Sequence, residues 1–224
     1  MRHRAGLPRL PTGIRRLPVD ARGYPIPWFV AVLPDGTRDF RVIEPGKIVR
    51  AVKERLCWIC GRPRRRDQFT FMIGPMCAVN RVSSEPPSHH KCAQLAAMAC
   101  PFLTLPMAKR RDHNLPEGGV APAGLALARN PGVTLLWQCG AFKAMRVEAH
   151  ESEGIRAGVL FRIGDPLSVE WYAEGRPATR AEVLASIDSG MPLLAEPAER
   201  EGGHAPYVLA AQRAAVDRLL PEAG

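Results

Sequence analysis

Four side chains between residues 57 and 92 have the types and spacing to hold a metal ion. Cys57 and Cys60 form a C-x-x-C pair, His89 and Cys92 form an H-x-x-C pair, and all four fall within 36 residues. Zinc takes four ligands in a tetrahedron and favours thiolate and imidazole. Two residues three apart can turn toward one ion, from a tight loop or from one face of a helix. Gly61, directly after Cys60, supplies the backbone freedom that a knuckle turn requires. A helix starting near His89 would place Cys92 at its N-terminus, where the peptide dipoles favour a thiolate. Four protein ligands fill the coordination shell, which is the pattern of a structural rather than a catalytic centre. His90 is a rival ligand through His90-x-Cys92, but residues two apart diverge on a helix, so His89 is preferred. Cys77 and Cys139, in apolar stretches, read as core thiols. Cys100 precedes Pro101, and Cys-Pro also closes iron–sulfur ligand runs. An iron–sulfur cluster on Cys57, Cys60, Cys92 and either Cys100 or Cys77 is therefore the alternative cofactor to a single Zn2+.

The knuckle runs straight into RPRRR, residues 62–66. Arg62, Arg64, Arg65 and Arg66 are candidate phosphate contacts, and Trp58 is either a stacking surface for bases or a core residue. The chain has 224 residues and a net charge of +9. The charge is uneven. Residues 1–66 hold 16 Lys/Arg against 5 Asp/Glu, whereas residues 114–224 hold 10 against 14. A basic N-terminal half suits DNA or RNA. The competing explanation is compositional: arginine far outnumbers lysine, alongside abundant Ala, Gly and Pro, as a GC-rich genome produces, and the charge is then solvated surface.

The elements that must position these residues can be laid out from pattern. Residues 1–23 form a basic Pro/Arg-rich arm, poorly ordered or wrapped over the rest. Residues 28–33 and 37–43 read as a hairpin around Pro34-Asp35-Gly36. A helix from Pro45 to Leu56, with apolar Ile48, Val49, Val52 and Leu56, delivers the chain to Cys57. FTFMIGPMCAVNRV (69–82), broken by Gly74-Pro75, reads as two short strands around a tight turn. A helix capped near Ser83, Ser84 or Ser88 then runs to Cys100, where Pro101 stops it. Residues 106–131 are a Pro/Gly-rich linker. Strands follow at 133–139, 142–150, 157–164 and 167–173. Thr179 and Glu182 form a capping-box pattern opening a helix to Ser189, and a last helix spans 205–220.

Knuckle, hairpin and ligand-bearing helix, in that order, make a treble-clef arrangement. The expected fold is α+β: a zinc-binding treble-clef-like domain at 24–105, a linker at 106–131, and a β-rich domain with two C-terminal helices at 132–224. At CWICG, FMIGPMCAVNRVSSEPPSHHKCA and ACPFL the chain resembles a group of uncharacterised actinobacterial and proteobacterial proteins also seen near mobile elements. DPLSVEWYAEGRPATRAEVLASIDSGMPLL (165–194) is similar to the group's C-terminal portion. The resemblance covers the chain from about Gly23. It implies a shared site and a shared C-terminal module, and no known activity. Asn80 and His89 also resemble the second half of an HNH nuclease motif, but the hairpin lacks the first His of that family. No nucleotide-binding loop or nucleophile elbow is present, so the leaning is against an enzyme. The expected function is a non-catalytic, zinc-binding, nucleic-acid-associated protein. A protein-interaction adaptor with structural zinc, an HNH-like nuclease and an iron–sulfur protein are the alternatives. With no apolar run near ~20 residues and no secretory signal, the expected location is cytoplasmic.

Overall fold

The structure, a computed structural model, describes residues 3–106, 108–109, 122–123, 129–150 and 155–222. Over these residues the chain is α+β, and its strands pair antiparallel in three sheets.

The first hairpin forms as its turn chemistry dictates. β1 (Val30–Val32) pairs with β2 (Arg38–Ile43). In the turn, Asp35 Oδ1 accepts hydrogen bonds from the backbone and hydroxyl of Thr37, and Gly36 takes a φ of +80°. The helix that follows, α1 (Lys47–Lys53), stops short of the expected Leu56. Arg55 turns the chain with a φ of +53°, and Leu56 instead opposes Pro63 across the knuckle.

The hairpin expected over 69–82 does not form. β3 (Phe69–Ile73) is followed by a short helix, α2 (Pro75–Asn80), and a two-residue strand, β4 (Val82–Ser83). Pro75 occupies the first turn of α2, where its missing N–H is not needed. Burial of Met76, Ala78 and Val79 repays the helix, and Arg81, with a φ of +55°, ends it. The next helix, α3 (His90–Ala99), starts later than expected. Ser88 is tied by paired backbone hydrogen bonds to Thr70 on β3 and does not cap it. Pro101 ends α3 as anticipated, but then seeds a further turn, α4 (Pro101–Thr104).

Further along the chain come β5 (Thr134–Cys139), β6 (Phe142–Val147), β7 (Gly158–Ile163), β8 (Pro166–Ala173) and β9 (Arg176–Pro177). The sheets draw on both halves of the sequence. One has the order β3-β5-β8-β9, another β4-β7-β6. Three helices follow: α5 (Arg180–Gly190), α6 (Pro192–Glu201) and α7 (Ala205–Asp217). No pattern in the sequence announced α6, which carries Pro197 in its interior.

The strand period of two separates two cores. On β3 and β5, Phe71, Ile73, Leu135, Trp137 and Cys139 face a core shared with β7, α2, α5 and α7. Met72 and Leu136 point the other way, into a cluster with α3 that contains Cys57, Cys60 and Cys92. The β3-β5-β8 face is thus the floor on which α3 rests. Most of the 106–131 linker lies outside the described residues. Its far end is tied down by Asn130, whose side chain donates to the carbonyls of Phe102 (2.7 Å) and Leu105 (2.8 Å) and accepts from Gly132 N–H (2.8 Å).

α5 opens with the anticipated capping box. Thr179 accepts from Glu182 N–H, and the Glu182 carboxylate accepts from Thr179 N–H at 2.8 Å. Arg176 and these N–H and O–H donors draw the Glu182 pKa down to about 2. Because α5 buries Val183 and Ile187, loss of the cap reaches the core. Thr179→Ala should lower the unfolding free energy by about 1 kcal/mol, measured by urea denaturation.

Candidate metal centre

The knuckle is a short backbone ladder closed by a tight turn. Cys57 N–H donates to Arg62 O, Gly61 N–H to Cys57 O, and Arg64 N–H to Arg55 O, all at 2.8 Å. Gly61 has a φ of +68°. A side chain there would also collide with Trp28, since a Cβ would lie 2.4 Å from the indole ring. The turn points Cys57 and Cys60 the same way. The other two ligands come from the start of α3. His89 is its N-cap, in extended conformation, and Cys92 lies three residues on, with N–H groups of Cys92 and Ala93 folding back to His89 O.

The ligand atoms of Cys57, Cys60, His89 and Cys92 all lie within 4.8 Å of one another. His89 Nδ1 is 3.4 Å from Cys60 Sγ and 3.9 Å from Cys92 Sγ. Bond lengths of about 2.0–2.3 Å to zinc give tetrahedral edges of roughly 3.5–3.8 Å. This Cys3His group can hold a metal ion, and its donors suit zinc. The three cysteines are buried and the imidazole is half-buried.

Surrounding contacts orient the ligands. His89 Nε2 donates to the carbonyl of Pro63, 3.0 Å away, which leaves the Nδ1 lone pair for an ion. Cys57 Sγ accepts from the N–H groups of Cys60 (3.5 Å) and His89 (3.3 Å). Without an ion the four groups must share protons. Burial works against a Cys57 thiolate, but contacts with Cys60, Cys92 and His89 outweigh it and its pKa falls far below the usual thiol range. The neighbouring sulfurs of Cys57 and Cys60, with burial, hold the Cys92 thiol protonated. The same two sulfurs push His89 up to about 10.

The remaining candidates go elsewhere. His90 Nε2 meets Glu170 Oε1 at 3.0 Å, so it braces α3 against β8. Cys77 packs on the main core, where burial pushes its thiol up to about 11. Cys139 is fully buried. Cys100 caps the far end of α3, about 12 Å along the axis from Cys92 at ~1.5 Å per residue. No all-cysteine cluster is assembled among the described residues. Asn80 Oδ1 accepts from Val82 N–H and closes the α2–β4 turn.

The arginine cluster divides. Arg62, Arg65 and Arg66 are exposed, whereas Arg64 is only 7% exposed. Its Nε donates to Leu56 O at 3.0 Å, and its guanidinium lies over the Phe69 ring at 5.2 Å. Nη1 is buried without a hydrogen-bond partner. Arg64 therefore cannot serve as a phosphate contact. Trp58 is also a core residue. It is 2% exposed and stacks on Phe29 with ring centroids 4.7 Å apart, so no face is left for a base.

Sequence reasoning did not place three contributors at the site: the Pro63 carbonyl, Arg64, which it read as a phosphate contact, and the N-terminal arm, which it read as poorly ordered or wrapped over the rest without assigning it to the centre. Ile14, 2% exposed, packs in the same cluster as the three cysteines, with Leu10 and Leu17 beside it. A Cβ on Gly13 would come within 2.8 Å of Cys60 Sγ. The three- and four-residue spacing of Leu10, Ile14 and Leu17 was the available signal. Nothing in the sequence marks a carbonyl as a ligand's partner.

Comparison of the chain with family models, with curated proteins and with solved structures finds no match.

Two substitutions probe the centre. Gly61→Ala forces a left-handed φ on an L side chain and drives a methyl into Trp28, whose ring already carries Lys47 Nζ 4.1 Å from its centroid. It should cost about 2 kcal/mol or more, seen as a lower melting temperature. Arg64→Met tests electrostatics. Three thiolates, a neutral imidazole and a divalent ion leave one net negative charge for the buried guanidinium to offset. The variant should lose roughly tenfold or more in metal affinity, read by chelator competition.

Proposed function

We propose that this chain is a non-catalytic protein whose fold is stapled by one structural zinc and which associates with nucleic acid through the arginines exposed around that centre. The observation that carries the zinc reading is the convergence of three thiols and the Nδ1 of a tautomer-locked imidazole. Four protein donors leave no open position for substrate or water, which argues against a catalytic metal. Engagement of His89 with the thiols likewise leaves it unsuited to an HNH-type reaction metal. Two ligands from a knuckle and two from a helix start are what the site has in common with a treble clef, although a strand and a helix stand where that arrangement has a hairpin.

The nucleic-acid part rests on charge. Arg62 and Arg66 are exposed, and among the described residues neither has an acidic partner. A protein-interaction adaptor is the second reading, favoured by Tyr207 and Val208 standing 76% and 52% exposed on α7. No described helix is long and apolar enough to cross a membrane.

Metal analysis should find one zinc per chain in colourless protein, and a broad visible band would instead indicate an iron–sulfur cluster. Cys57→Ser and Cys92→Ser should each abolish metal binding and cooperative unfolding. If they unfold like wild type, the site is not structural. Retardation of labelled DNA or RNA should weaken steeply with salt. Absence of retardation at low salt would leave the adaptor reading.

A further inference from the structure

The exposed knuckle arginines are not an isolated loop. The N-terminal arm lies directly against them. A Cβ on Gly13 would be 3.4 Å from Arg62 Cδ as well as 2.8 Å from Cys60 Sγ. The 3₁₀ turn Ile14–Arg16 inserts Ile14 into the cysteine cluster, while Arg15 and Arg16 stay exposed. The Arg15 guanidinium donates to the Thr12 hydroxyl, at 3.3 Å. Among the described residues no carboxylate pairs with Arg15, Arg16, Arg62 or Arg66, and Arg65 is held only loosely by Asp67 at 3.7 Å. Elsewhere on the N-terminal half, Arg22, Arg41, Lys47 and Arg50 have acidic partners, whereas Arg9, Arg38, Lys53 and Arg55, like the junction arginines, have none among the described residues. What sets Arg15, Arg16, Arg62 and Arg66 apart is adjacency, because the arm at Gly13 packs directly against Cys60 and Arg62.

The surroundings say what kind of polyanion fits. Single-strand binders combine a basic track with exposed aromatic faces. Here both tryptophans near the knuckle are taken. Trp58 is buried against Phe29 and edge-on to Trp28. Trp28 is covered by Lys47 and lies against Gly61. Arginine charge without a stacking platform suits closely spaced phosphates of a duplex, read through the backbone alone.

We propose that arm and knuckle together form one composite surface, with Arg15 and Arg16 supplying half of it and Arg62 and Arg66 the other half, which grips the phosphodiester backbone of a duplex without reading bases. This rests on the nucleic-acid reading above, and it adds the arm, removes Arg64 and predicts strand preference.

The test is a salt titration of binding to labelled duplex DNA, duplex RNA and single-stranded DNA, using the full metal-loaded chain. Wild type should bind the duplexes at least as tightly as the single strand, with no preference among sequences. R15Q/R16Q should reduce the slope of log affinity against log salt by about two, and R62Q/R66Q should do the same. All four side chains are exposed, so metal content and melting temperature should stay at wild-type values. If wild type binds but R15Q/R16Q leaves the slope unchanged, the arm is not part of the surface and the knuckle reading survives alone. Tighter binding to single strands would overturn the backbone-only claim. If wild type binds no nucleic acid at low salt, both the surface and the parent reading fall. The two duplex probes distinguish DNA from RNA as the source of the phosphates.

Discussion

Three sulfurs and one imidazole nitrogen must sit within 4.8 Å of one another, and that convergence organises everything around the start of α3. It is an unfavourable grouping left to itself. Burial disfavours thiolates, yet the crowded donors drive Cys57 to ionise and raise His89 to about 10. A divalent ion held there would resolve the conflict by taking the place of the shared protons. It would also cross-link the knuckle to the start of α3, and cross-linking segments distant in sequence restricts the unfolded chain most. The Pro63 carbonyl matters for the same reason. By holding Nε2 it decides which imidazole nitrogen faces the sulfurs before any ion arrives.

The β3-β5-β8 face makes that convergence possible. Strand alternation sends Trp137 and Leu135 into one core and Leu136 into the other. The metal group therefore sits on a sheet whose opposite side is anchored by α2, α5 and α7. Because β3 precedes the ligand helix and β5 starts only at Thr134, the group is supported by residues from both halves of the sequence. Ser88 hydrogen-bonded to Thr70 completes the link, since it fixes the backbone one residue before His89.

How much of this was legible in the sequence depended on the range of the forces involved. The ligand quartet and the capping box were visible because their spacing is itself the chemistry: three residues apart puts two side chains on one ion or two groups on one helix end. The strands β5 to β8 were visible through apolar runs between turn residues. Gly74-Pro75 was misread because Gly-Pro serves equally as a turn and as the entry to a helix. Burial of Met76 and Val79 against distant helices chose between them. The start of α3 was placed too early for a similar reason. Ser88 is a good cap by type, but its backbone had already been claimed by β3. The α6 helix was hidden by Pro197, since only one local rule spoke and packing against α7 overruled it.

The arginines show the same limit from the side of charge. Five residues, RPRRR, look uniform as composition, yet the fold assigns them opposite environments. Alternation along the knuckle ladder turns Arg64 inward beside Leu56 and leaves its neighbours in water. A buried guanidinium with an unpartnered Nη1 is costly wherever no opposite charge lies near. The thiolates are such a charge, because the Cys57 thiolate counters the loss of Arg64 basicity that burial imposes. The cluster thus contains one arginine that belongs to the metal centre and others that belong to the surface. A net charge cannot separate these roles. The difference lies in a backbone hydrogen bond to Leu56 and in the side of the ladder from which each residue projects.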